Sequence, residues 1–247
     1  MAVRLDKYLA NAGVGTRSEV KKLIRSGRVF LNGVTVKRPE EKVFEDSRVV
    51  VDGSMVFQKG FEYFMLNKPS GVVSATQDSV DKTVVDLITC PHSRELFPVG
   101  RLDKDTEGLL LLTNDGALAH QLLSPRKHVS KTYLVWAEGR VTEADVELLE
   151  HGMDIGDEKL TRPAAVGNMS FHNMSFQGIA AIQTRLEFTI IEGRYHQVKR
   201  MFAKIGKPVQ YLKRLSMGSL VLDDTLAMGE FRELTEEEIC SLKMEVE

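Results

Sequence analysis

Two segments of this 247-residue chain bring together residue types able to do chemistry. In Pro98-Val99-Gly100-Arg101-Leu102-Asp103-Lys104-Asp105-Thr106-Glu107-Gly108, three carboxylates and two cations sit among glycines just ahead of the run Leu109 to Leu112. Flanking glycines allow the close backbone approach that a ligand-facing loop requires. Carboxylates beside cations are also the groups of acid–base and nucleophilic chemistry. On composition alone, an exposed loop whose ions pair with one another is the stronger reading. The second segment, Glu192-Gly193-Arg194-Tyr195-His196-Gln197-Val198-Lys199-Arg200-Met201-Phe202, ends a strand at glycine and opens a cationic helix with Val198, Phe202 and Ile205 on its apolar side. An ordinary helix with a basic exposed face would explain it by itself. The six histidines form no metal constellation: His92, His120 and His128 lie in separate segments, and no glycine motif cradles a phosphate. Neither a metal nor a nucleotide cofactor is expected.

The elements that must position these residues follow from pattern. Leu5, Tyr8 and Leu9 fall at helical spacing up to a stop at Gly13. Thr16-Arg17-Ser18-Glu19 reads as a capping box opening a second helix, with Val20, Leu23 and Ile24 inward and Lys21, Lys22 and Arg25 largely outward. Val29 and Leu31, the turn Asn32-Gly33, then Val34 and Val36 make a hairpin. Residues 54–61 read as a linker. Beyond it come strands at Phe64 to Leu66, Val72 to Ser74, Leu109 to Leu112, Tyr133 to Trp136 and Leu186 to Ile191. Helices are expected at Ala117 to Leu123, Glu143 to His151 and His196 to Ile205. The repeat Asn168-Met169-Ser170-Phe171, Asn173-Met174-Ser175-Phe176 suggests a hairpin or a duplication. Strands outnumber helices with few βαβ alternations, so the fold class is α+β: a small helix-helix-hairpin domain over residues 1–59, then a mostly antiparallel mixed-sheet domain over residues 60–247.

Composition narrows the class of protein. Hydrophobic residues at 43% and charged residues at 28% exclude a wholly disordered chain. No apolar run approaches the ~20 residues of a membrane span, no secretory signal is readable, and two cysteines make no disulfide framework. A cytoplasmic protein is expected, with no membrane partner. The net charge of −2 is unevenly spread: residues 1–59 hold 12 basic and 7 acidic residues, and residues 223–247 hold 2 basic and 9 acidic. The basic head suggests a polyanion partner; the acidic tail, including Glu236-Glu237-Glu238, reads as a solvated helix face.

Arg4-Leu5-Asp6-Lys7-Tyr8-Leu9, Gly27-Arg28-Val29-Phe30-Leu31-Asn32-Gly33 and Val49-Val50-Val51-Asp52-Gly53 resemble the S4-type RNA-binding domain. That resemblance implies RNA as ligand, with phosphate contacts drawn from Arg4, Lys7, Arg17, Lys21, Lys22, Arg25 and Arg28, about half of which are expected to matter.

Four further stretches look like bacterial rRNA pseudouridine synthases: Leu66-Asn67-Lys68-Pro69-Ser70-Gly71-Val72-Val73-Ser74, Gly100 through Gly116, Lys131-Thr132-Tyr133-Leu134, and Glu192 through Phe202. The run Tyr195-His196-Gln197-Val198-Lys199-Arg200-Met201 is most similar to the branch acting on small-subunit (16S) rRNA. The resemblance implies a cofactor-free isomerisation with uridine 516 of 16S rRNA as target. It implies three catalytic residues: Asp103 as nucleophile or base, Tyr133 packing on the uracil ring, and Lys199 as the basic partner of Asp103, with Arg200 and Arg194 as rivals. Arg101 matches a residue filling the space left by the extruded base, and Arg194 and Arg200 are expected to contact RNA. The expected partner is rRNA, naked or in an assembly particle, met by a monomer. A synthase acting on 23S rRNA and a non-catalytic RNA-binding assembly factor are the rival readings; Asp103 within a full motif favours the enzyme.

Overall fold

The computed structural model describes residues 2–44, 46–56, 60–91, 93–176 and 179–246; His92 and linker residues 57–59 lie outside them. The chain divides into two compact units, Met1–Phe61 and Glu62–Glu247.

The first unit contains β1 (Val3–Arg4), α1 (Leu5–Asn11), α2 (Arg17–Arg25), β2 (Val29–Leu31), β3 (Val34–Val36), β4 (Lys42–Val43), β5 (Val49–Val51) and β6 (Ser54–Val56). The capping box forms: Glu19 N donates to Thr16 Oγ1 at 3.4 Å and Thr16 N to Glu19 Oε2 at 2.8 Å. Asn32 and Gly33 both take positive φ, 51° and 83°, as a two-residue turn matching strand twist demands. Asp52 and Gly53 repeat that turn at φ 51° and 82°, so residues 54–56, expected in a linker, instead form β6 beside β5. The four strands order as β3-β2-β5-β6, and Leu5, Leu9, Val20, Ile24, Val29 and Val49 close the core beneath them.

The second unit contains β7 (Tyr63–Lys68), β8 (Phe97–Pro98), β9 (Glu107–Thr113), α3 (Gly116–Leu123), β10 (Lys131–Glu138), α4 (Glu143–His151), β11 (Ala165–Phe176), β12 (Ile179–Ile190), α5 (Gln197–Lys204), β13 (Val209–Met217), β14 (Leu220–Val221), β15 (Phe231–Glu233) and α6 (Glu236–Val246). The main sheet runs β11-β12-β10-β13-β9-β7-β15, with β8 on β9 and β14 on β13. Its pairings are antiparallel except β13 with β9, where Lys213 lies beside Glu107 and Arg214 beside Gly108. The two faces build separate cores. Leu66, Leu110, Tyr133, Phe188, Val198 and Phe202 belong to one; Met65, Leu109, Leu111, Leu122 and Leu242 belong to the other.

Several expectations need correction. Val72 to Ser74 form no strand, only a single bridge from Val73 to Thr83, because Ser74 is drawn into the Asp103 loop. Both copies of the Asn-Met-Ser-Phe repeat lie on β11, so the hairpin is β11 against β12 and not one copy against the other. Glu238 of the acidic run is bound by Arg232 at 2.8 and 2.9 Å rather than solvated.

Candidate active site

Asp103 sits in the loop between β8 and β9, and the segment after β7 fixes that loop from beneath. Lys68, at the end of a strand buried along its length, is fully buried. Its Nζ donates to the carbonyls of Pro69 at 3.0 Å, Asp103 at 3.1 Å, Lys104 at 3.2 Å and Thr106 at 2.8 Å. A buried ammonium requires such partners. Burial pulls its pKa down to about 8, against the upward pull of Asp105, Asp103 and Glu107. Gly71 N donates to Lys104 O at 2.8 Å. The Ser74 hydroxyl donates to Leu102 O at 2.9 Å and accepts from Leu102 N at 3.1 Å. The backbone on either side of Asp103 is thus held while its carboxylate stays half-buried. At the loop's far end Gly108 takes φ +94°, and a Cβ there would lie 2.3 Å from Arg214 O; only glycine fits this approach. Buried Arg214 donates from Nε to Leu109 O at 2.7 Å, and its Nη2 has no hydrogen-bond partner among the described residues.

The opposing wall is α5. Val198, Met201 and Phe202 are buried on one side of it, each contributing on the order of 1.5–3 kcal/mol of gross burial energy, and Phe202 meets Phe188 edge-on at 5.3 Å. With that face committed to the core, Lys199 is directed at the loop. Its Nζ lies 3.1 Å from Asp103 Oδ2 and 2.5 Å from Asp105 Oδ1. Burial opposes the Lys199 charge, but the hydrogen bonds to Asp105 and Asp103 outweigh it and raise the pKa. The Lys199 hydrogen bond in turn holds Asp105 below its ordinary value. His196, which precedes the helix in the left-handed region at φ 48°, places Nε2 3.3 Å from Asp103 Oδ1. Both oxygens of Asp103 therefore have a cationic or cation-capable neighbour.

The structure brings Asp103 and Lys199 together and sets Tyr133 in the core cluster that also holds Leu102 and Val198, their immediate chain neighbours. Arg101 is exposed, without an ion pair among the described residues. The other two cations of the second motif are engaged elsewhere. Arg194 bonds Glu192, Asp157 and the carbonyls of Lys159 and Leu160. Arg200 bonds Asp157 and the carbonyls of Ile155 and Tyr195. Both buttress the loop after α4, and neither replaces Lys199 opposite Asp103. In the first unit Arg4 bonds Asp6, Lys21 lies 4.0 Å from Asp6, and Arg28 bonds Asp52. Lys7, Arg17, Lys22 and Arg25 are exposed, with no ion pair among the described residues. His196, Lys68 and Ser74 are the site residues that sequence reasoning did not single out. Lys68 carried a signal, a charge ending an apolar strand run.

A carboxylate on a clamped loop is thus paired with a lysine from a helix packed against the same face of a mostly antiparallel sheet, in a chain that opens with a small helix-and-hairpin unit. The pattern described as RNA pseudouridylate synthase matches residues 62–204, and that of the S4 domain matches residues 3–49. The chain belongs to the RNA pseudouridine synthase family. It is 50% identical over 239 residues to YtzG, an uncharacterized RNA pseudouridine synthase of Bacillus subtilis, covering 96% of this chain and 97% of that one. It is 42% identical to ribosomal small subunit pseudouridine synthase A of Salmonella typhimurium, covering 97% of this chain and 100% of that one. A crystal structure of a pseudouridylate synthase superposes with a TM-score of 0.68 at 37% identity, covering 97% of this chain and 99% of the other.

Proposed function

We propose that this pseudouridine synthase isomerises a uridine of small-subunit (16S) rRNA, uridine 516, using Asp103 as the group that acts on the ribose. The reading is carried by the Asp103–Lys199 pair at 3.1 Å in a chain matched end to end by relatives named for the small ribosomal subunit. In the reaction the N1–C1′ bond breaks, the uracil turns, C5–C1′ forms, and the proton lost from C5 is balanced by one gained at N1. Atoms and charge balance without an oxidant or cofactor. Asp103 serves either as nucleophile at C1′ or as base for the 2′ proton, and both routes need one free carboxylate oxygen. The His196 contact, at 3.3 Å, is the longer of its two, so Oδ1 is the oxygen more easily released to substrate. Lys199 holds the other oxygen in place at 3.1 Å. Tyr133 packs on the uracil, Arg101 fills the gap that the extruded base leaves, and Arg194 and Arg200 hold the loop that borders the RNA. Residues 1–59 supply affinity and residues 60–247 the chemistry, in a cytoplasmic monomer whose substrate is the rRNA or its assembly particle.

The test is pseudouridine mapping across rRNA from cells lacking the protein, complemented by wild type or by Asp103→Asn. Loss of one 16S pseudouridine, restored only by wild type, is the expected result. A lost site in 23S rRNA would move the substrate to the large subunit.

A further inference from the structure

We infer that Tyr195 and His196 form a stacking platform for a nucleobase next to the reacting uridine, an inference that rests on the RNA substrate proposed above. The two rings stack with centroids 3.8 Å apart at 18°, close to the spacing and tilt of neighbouring bases. His196 is the inner ring, with Nε2 at 3.3 Å from Asp103 Oδ1, so the stack begins at the reaction centre. Tyr195 is the outer ring and is 73% exposed; one face rests on His196 and the other has no ring against it among the described residues.

The local chain is built to hold the pair in place. His196 takes the left-handed conformation at φ 48°, uncommon for a non-glycine residue and informative where it occurs beside a site. Arg200 Nη1 donates to Tyr195 O at 2.9 Å, and Gln197 Oε1 accepts from Arg194 N at 3.0 Å. Backbone on both sides of the rings is therefore pinned, although Tyr195 itself is largely uncovered. An aromatic ring so exposed gains nothing from the core, whereas any base can stack on it because every base has a π-face. Extrusion of the target uridine unstacks its neighbours, which supplies such a base at the required place. Unlike the cations of the first unit, this contact carries no charge, so it orients RNA without adding to salt dependence.

The experiment uses the full chain and a 16S rRNA fragment carrying 2-aminopurine immediately 5′ or 3′ of the target uridine. Binding to Asp103→Asn protein, which holds the RNA without turnover, should quench one of the two labels. Adding Tyr195→Ala should abolish that quench. In the otherwise wild-type enzyme Tyr195→Ala should raise KM roughly tenfold, leaving the single-turnover rate at saturating enzyme within about twofold. Tyr195→Leu, which keeps bulk but has no π-face, should behave like Ala, and Tyr195→Phe like wild type; the pair separates stacking from folding. Tritium release by the wild-type enzyme with unaltered quench and KM in the Ala and Leu variants would overturn the platform alone. No tritium release from 16S rRNA by the wild-type enzyme would overturn the proposed substrate and the platform with it.

Discussion

Replacing Asp103 with Asn keeps size and hydrogen bonding but removes the charge that both proposed routes require, so isomerisation should vanish while RNA binding stays near wild type. Tritium release from 5-tritiated uridine measures the first and a binding isotherm the second; substantial residual turnover would remove Asp103 from its role. Lys199→Met should cut the single-turnover rate severely, and Lys199→Arg should retain part of it, because charge survives while the planar fork fits differently. Since the Asp103 and Lys199 side chains are each only 25% exposed, Lys199→Met leaves a part-buried carboxylate without its partner, and Tm should fall as well. Arg200→Met should instead loosen the loop that carries Asp157 and lower Tm while sparing the chemical step. If Arg200→Met loses that step and Lys199→Met keeps it, the pairing opposite Asp103 is wrongly drawn. The meeting of Asp103 and Lys199 was legible because whole motifs surround both residues. His196 was not, because its contact with Asp103 depends on a left-handed φ that no side-chain pattern encodes.

At the scale of elements, the clamp at the end of β7 is what makes the loop a site. Lys68→Met leaves the carbonyls that Lys68 holds without their donor and should cost on the order of 3 kcal/mol. The pH dependence has a definite sign. The folded pKa of Lys68, about 8, lies below the ordinary 10.5, so between those values the unfolded chain holds a proton that the folded chain has released. Stability from this group rises with pH there, and the gap in unfolding free energy between wild type and Lys68→Met should widen from pH 8 to 10. Denaturant titrations across that range check it; a flat or narrowing gap would contradict the buried ammonium. Gly108→Ala should also be damaging, by at least ~2 kcal/mol, since the new methyl meets Arg214 backbone. Among the elements, α4 spans the residues expected of it, and the Asn32-Gly33 hairpin was readable from its turn. The β6 strand was missed even though Asp52-Gly53 is the same kind of turn signal, because Ser54-Met55-Val56 carries one β-branched residue where Val34-Thr35-Val36 carries three. The β13 strand was hidden by Arg214, whose inward-facing guanidinium breaks the apolar period; only the neighbouring Gly108 and Leu109 backbone explains a charge there.

For the whole molecule, the uneven charge read from the sequence resolves into paired and unpaired cations. Arg4, Lys21 and Arg28 have carboxylate neighbours within their own unit, so Arg17, Lys22 and Arg25 are the better probes of phosphate contact. Changing those three to Gln should weaken RNA binding and reduce the slope of log affinity against log salt by roughly 2, at ~0.7 per contact on single-stranded RNA. An unchanged slope would put the phosphates elsewhere. No helix among the described residues is long and apolar enough to cross a membrane.

The position of β13 also has a consequence in time. It lies between β9 and β10 in the sheet yet is made long after both, so Glu107 waits for Lys213 before its pairing exists. Contacts of such sequence separation form slowly, whereas every strand pairing of the first unit joins residues within the same short stretch of chain. As the chain emerges during synthesis, N-terminal end first, the S4 unit can be finished while the sheet still has a gap at its centre and Lys199 has yet to arrive opposite Asp103. A nascent chain of this enzyme is thus able to fold the part that holds RNA well before it has assembled the part that changes it.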